Sequence, residues 1–205
     1  MRIRQSLIVF AAVLLSVSAL LLVSVAQAQE TEPRNLSFED PPMDAEGGRP
    51  PGWWFVQHAG ETSFEFAIDD RVAKDGKRSL RIRRTGKQPF GLVLQKIKAD
   101  RFRGKRVRLT AFLRLENVEA YGHGALREIS GATLMLRSGG ALDDMRDRPL
   151  RGTKPWTEVS VEISVPATAT VVDFGATLSG SGTLWVDAVK LEAVVQNGAS
   201  EATAK

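Results

Sequence analysis

Arg106-Val107-Arg108-Leu109-Thr110-Ala111-Phe112-Leu113-Arg114-Leu115 is the stretch that decides the fold. Successive side chains of a strand point to opposite sides, so Val107, Leu109, Ala111, Leu113 and Leu115 share one face and Arg108, Thr110, Phe112 and Arg114 the other. Wound as a helix, the same residues would scatter their apolar positions all around the axis. The segment therefore reads as a half-buried strand whose five apolar side chains lie in a core.

The same period of two recurs on both sides. Phe64, Phe66 and Ile68 alternate with Ser63, Glu65 and Ala67, and Asp75-Gly76 closes a turn before Leu80 and Ile82 alternate with Arg81 and Arg83. Phe90 to Ile97 continues the series up to a turn at Gly104. Downstream, Ala132, Leu134 and Leu136 face inward up to Gly139-Gly140, a strand from Trp156 to Val165 stops at Pro166, and Val172, Phe174, Ala176 and Leu178 share a face before Ser179-Gly180-Ser181-Gly182. The last strand runs from Thr183 to Val194. Eight or nine short strands, with no helix long enough for a parallel crossover, imply antiparallel sheets in a sandwich or barrel.

Met1 to Ala28 has the layout of an export signal: basic Arg2 and Arg4, an apolar run from Leu7 to Val25, and the small-x-small site Ala26-Gln27-Ala28. The run is interrupted by Ser16, Ser18 and Ser24, and retention as an anchor is the alternative to cleavage. The expected organisation is a signal over 1–28, a loose segment over 29–34, a β-sandwich domain over 35–196 and a disordered tail over 197–205. Cleavage leaves no membrane span in the mature form and a periplasmic or secreted product. The chain has no cysteine, which excludes disulfides and thiolate metal sites. Without Arg2 and Arg4 the 28 basic residues become 26 against 24 acidic, a net of +2. Charge is unevenly spread, because Arg71 to Arg114 holds sixteen Lys or Arg and only two acids, Asp75 and Asp100.

Four segments carry a resemblance to a known family: Asn35-Leu36-Ser37-Phe38-Glu39, Pro51-Gly52-Trp53, Asp75-Gly76-Lys77-Arg78-Ser79-Leu80, and Leu184-Trp185-Val186-Asp187-Ala188-Val189-Lys190-Leu191-Glu192. In this order they resemble the framework of galactose-binding-like jelly rolls, a group that includes many carbohydrate-binding modules. Asp143-Asp144-Met145 through Arg148-Pro149-Leu150, Gly152-Thr153 and Trp156 is similar to uncharacterised exported sandwich domains found beside bacterial hydrolases. The resemblance implies an all-β, two-sheet antiparallel β-sandwich. It also implies a structural Ca²⁺ held by Glu39 and Asp187 with carbonyls of the Asp75 to Ser79 loop; pairing of these acids with basic side chains or backbone amides is the alternative.

Opposite the core face, the alternation places Val93, Gln95, Arg108, Thr110, Phe112, Arg114, Thr133, Met135, Arg137, Asp173 and Thr177. On one concave sheet these would make a polar surface around Phe112 and Met135, with Trp53, Trp54, Tyr121 and His123 at its rim. The expected ligand-binding set is Gln95, Phe112, Arg114, Met135, Arg137, Asp173, Trp54 and Tyr121. For Trp53 and Trp156 an ordinary core position is the preferred reading. Lys96, Lys98, Arg101, Arg103, Lys105, Arg106 and Arg108 form a basic edge that could attract polyanions. Only Phe102 interleaves that run, which does not suit a nucleic acid.

With two histidines, His58 and His123, and no hydrolase elbow, P-loop or zinc-protease motif, catalysis has little basis. Asp143, Asp144 and Asp147 crowd one loop as a potential carboxylate pair, but a turn or strand cap is the simpler reading. The expected function is a monomeric, non-catalytic extracytoplasmic module binding a carbohydrate or other polar envelope ligand. The alternative is an envelope interaction or structural domain with a protein partner, or with a polyanion at the basic edge.

Overall fold

The computed structural model describes residues 30–40 and 49–194. The expected signal and C-terminal tail lie outside them. Ten strands carry the chain: β1 (Trp54–Gln57), β2 (Phe64–Asp69), β3 (Ser79–Arg84), β4 (Phe90–Lys98), β5 (Arg106–Val118), β6 (Ala132–Ser138), β7 (Ala141–Asp143), β8 (Gly152–Ser164), β9 (Val171–Ser179) and β10 (Thr183–Ala193). One short helix, α1 (Ala125–Ile129), interrupts them between β5 and β6. Among the described residues no helix is long and apolar enough to cross a membrane.

The strands form two five-stranded antiparallel sheets, which we call the first, β1-β4-β9-β6-β7, and the second, β2-β3-β10-β5-β8. Only β2-β3 and β6-β7 are sequence neighbours within a sheet, so the chain passes repeatedly between layers, as a jelly roll requires. The core lies between the sheets. Val107, Leu109, Ala111 and Leu113 are fully buried and Leu115 is 1% exposed, as the alternation of β5 dictates. Leu134 from β6 and Phe174 from β9 meet them from the opposite layer. Phe55 of β1 stacks on Phe66 of β2 at 4.6 Å between ring centroids and ties the sheets at one edge.

Trp53 is a core residue, packed between Phe38 and Phe174 at centroid distances of 5.1 and 5.7 Å. Its indole N–H donates to the Asn35 carbonyl, which fixes the N-terminal segment against the end of the sandwich. Trp156 departs from the expectation of a core position. It is half-buried beside an irregularity of the edge strand β8, which begins at Gly152 and accommodates Pro155 because an edge position needs no ladder hydrogen bond there. Gly139-Gly140, expected to end a strand, is the turn of the β6–β7 hairpin, where Gly139 has φ of +57°.

Candidate functional site

The pairing register arranges the outer face of the first sheet as three cross-strand rows. Val56, Leu92, Thr177 and Thr133 form one row, and Trp54, Leu94, Gly175 and Met135 the next. Lys96, Asp173, Arg137 and Leu142 form the third. Two rows are apolar or small, and the third is charged. Trp54 is 45% exposed at the β1 edge, with the Arg49 guanidinium 4.7 Å from its ring centroid. At Gly175 a Cβ would stand 1.9 Å from the Val93 carbonyl oxygen, so the middle row is obliged to have a side-chain-free position between Leu94 and Met135.

In the charged row, Arg137 Nη2 and Nε donate to Asp173 Oδ2 at 2.7 and 3.2 Å. Lys96 Nζ stands 3.5 Å from Oδ1. Asp173 is 4% exposed, yet Oδ1 accepts no hydrogen bond. Four of the residues expected to bind ligand, Trp54, Met135, Arg137 and Asp173, therefore share one face.

The other four do not join them. Gln95 pairs with Phe174 and points, with Val93, into the core rather than outward. Its carboxamide accepts from Arg34 N–H at 2.7 Å and donates to the Arg34 carbonyl at 2.9 Å, replacing a missing strand neighbour. Phe112 and Arg114 lie on the second sheet, on the far side of the molecule, because β5 pairs with β10 and β8. There Lys74 Nζ covers the Phe112 ring at 4.6 Å, and Arg114 lies 5.6 Å from the centroid of the buried Trp185. Tyr121 follows β5 near Gly180, at the end of β9 remote from Asp173, with its ring under Arg84. A single surface uniting all eight is thus corrected to a four-residue face, to which Lys96, Leu94 and Gly175 are added. Their signal in the sequence was the alternation of Leu92, Leu94 and Lys96, hidden by a reading that turned β4 the wrong way round.

Glu39 and Asp187 do approach one loop, but as its anchors. Glu39 Oε1 accepts the amides of Lys77 and Arg78 at 2.7 and 2.9 Å, which lowers the carboxyl pKa. Asp187 Oδ2 accepts the amides of Lys74 and Asp75 at 2.7 and 3.0 Å. Burial nevertheless pushes the Asp187 carboxyl up, against the pull of those amides. Calcium needs a shell of oxygens, whereas here amide hydrogens face both carboxylates and the Arg78 guanidinium occupies the Glu39 carbonyl at 2.6 Å. Among the described residues no group of three or more His, Cys, Asp or Glu is placed to hold a metal. In this arrangement the donor set does not fit the ion.

The basic edge is largely neutralised. Arg101 pairs with Glu32, Arg103 with Asp100 at 2.8 Å, and Arg106 and Arg108 both with Glu162. Lys98 and Lys105 alone in that run have no ion pair among the described residues. The acidic loop is equally self-contained, since Arg148 bridges Asp143 and Asp147 at 2.8 and 2.7 Å and Arg146 holds Asp144.

Comparison with known proteins places the fold. No family model matches the chain. A Stig cyclase, Fisc, from Fischerella sp. TAU superposes with a TM-score of 0.54 and 15% identity, covering 81% of this chain and 98% of its own. A carbohydrate-binding module, TmCBM61, solved with β-1,4-galactotriose, superposes with a TM-score of 0.51 and 11% identity, covering 81% of this chain and all of its own. The fold is a two-sheet β-sandwich jelly roll, shared with this cyclase and this carbohydrate-binding module. In sequence, the chain is 33% identical over 144 residues to YbfP, an uncharacterized HTH-type transcriptional regulator of Bacillus subtilis (strain 168). That match takes in 69% of this chain and 48% of the regulator, so the chain spans about half the length of this curated relative.

Proposed function

We propose that the chain is a non-catalytic, extracytoplasmic binding module that takes a carbohydrate or other polar envelope ligand on the outer face of the first sheet. One observation carries this reading: a charged row, Lys96-Asp173-Arg137, runs beside an apolar row, Trp54-Leu94-Gly175-Met135, that starts at the exposed Trp54. Saccharides present apolar C–H faces and hydroxyl edges, so a surface with both kinds of partner side by side suits them. The export pattern of Met1 to Ala28 supports a location outside the cytoplasm, and the arginine clamps on Asp143, Asp144 and Asp147 support a structural role for those acids. The test is a glycan array probed with the mature protein and with Arg137→Ala. Binding that is lost in the variant is the expected result; silence across neutral and acidic glycans contradicts it.

The match to a transcriptional regulator favours a second reading, in which the shared stretch is the ligand-sensing part of a larger protein. It is distinguished by location: a chain that stays in the cytoplasm after expression with its own N-terminus supports sensing over envelope binding.

A further inference from the structure

The charged row narrows the chemistry of the ligand. Asp173 is covered to 96% of its surface yet leaves Oδ1 without a hydrogen-bond donor. A buried carboxylate oxygen without a donor is costly, and native structures rarely keep one unless something else completes it. Lys96 Nζ, at 3.5 Å, is too distant for a good hydrogen bond; its side chain is 46% exposed, and a ligand hydroxyl reaches the covered Oδ1 by displacing it toward solvent. Arg137 is committed to the other oxygen, Oδ2, through both Nη2 and Nε.

Resting on the carbohydrate reading above, we infer that the site is built for the hydroxyl edge of a neutral saccharide, with Asp173 Oδ1 as acceptor and Arg137 as donor to an adjacent hydroxyl oxygen. A hydroxyl is donor and acceptor at once, so two neighbouring hydroxyls match a carboxylate flanked by cations. The carboxylate of a uronate, or a sulfate group, can accept from Lys96 and Arg137 but has no hydrogen to give Asp173, and its charge would meet the Asp173 carboxylate at close range. Gly175, two residues on from Asp173 in β9, carries no side chain because the β4 backbone at Val93 and Leu94 fills the space beside it, so a ring would rest on Leu94 and Met135. Trp54 then ends the same row as an apolar platform.

The sign of one substitution separates the two chemistries. On an array of neutral and uronate-containing oligosaccharides, the wild-type protein is expected to retain neutral glycans, at low and high salt alike. Asp173→Asn is expected to weaken binding of the best neutral glycan by about 10- to 100-fold, the loss typical of a hydrogen bond to a charged group. Lys96→Met, at an exposed position, checks the same point if Asp173→Asn fails to fold: neutral binding survives it, and anion binding does not. Retention of acidic glycans, with tighter binding in Asp173→Asn or loss in Lys96→Met, overturns the neutral assignment while leaving the carbohydrate reading intact. No retention of any glycan overturns both.

Discussion

At Gln95 a single carboxamide closes two backbone groups of a segment 61 residues away in sequence. Gln95→Leu keeps the volume and orphans both, at a cost of about 1–3 kcal/mol for each unpaired group. Urea unfolding should show a clear loss; an unchanged midpoint would mean that Arg34 finds other partners. The alternation of β4 was legible in sequence, but its direction was not. Gln95 is polar and reads as outward, because its partner is backbone and backbone leaves no compositional trace. Core positions were more transparent, since Leu109, Leu134 and Phe174 stand in runs whose other face is polar. Leu134→Ala should cost about 2–5 kcal/mol in the same assay, as for buried leucines generally.

The loop between β2 and β3 depends on two acids that the sequence places at opposite ends of the folded unit. Glu39 and Asp187 each receive two of its amides, and Asp69 takes two more from Arg71 and Val72. Both acids were legible as a pair converging on this loop. What they receive was not, because carbonyl or amide orientation is set by the turn and not by residue type. Glu39→Ala should speed amide exchange at Lys77 and Arg78 with little change in β5, whereas uniform acceleration would show that Glu39 supports the whole fold. Chelator should leave the melting midpoint where it is; a drop that calcium restores would show that the loop amides turn away to admit the ion.

Across the whole molecule, the assignment of strands to sheets was beyond local pattern. Period two says which residues of one strand share a face, but whether Phe112 and Met135 share a surface depends on partners far along the chain. The collective charge behaviour follows from the same pairings. Glu39, Glu65 and Glu162 are held below their ordinary value of 4.5, Glu39 by loop amides, Glu65 chiefly by Arg83 and Glu162 by Arg106 and Arg108. Their stabilisation is present above 4.5 and lost as the pH falls through their depressed values. Asp187 acts in the opposite sense, since its raised value makes ionisation costly as the pH rises through it. Asp69 and Asp144 are lowered as well, so five lowered carboxyls stand against one raised, and the melting midpoint should fall on acidification below about pH 4.5, and less steeply in Glu162→Gln. A midpoint that holds or rises would contradict this balance.

Both outer faces carry paired charges and cation-covered aromatics, but among the described residues the first alone of the two combines an exposed Trp54 with a carboxylate oxygen, Asp173 Oδ1, that has no donor. Backbone and side-chain chemical shifts, followed during titration with a retained oligosaccharide, compare them directly. Perturbations confined to the Trp54 indole, Leu94, Met135, Arg137, Asp173 and Gly175 are the outcome this account requires. Perturbations centred on Phe112, Arg114 and Trp185 would place the ligand on the wrong sheet and contradict it.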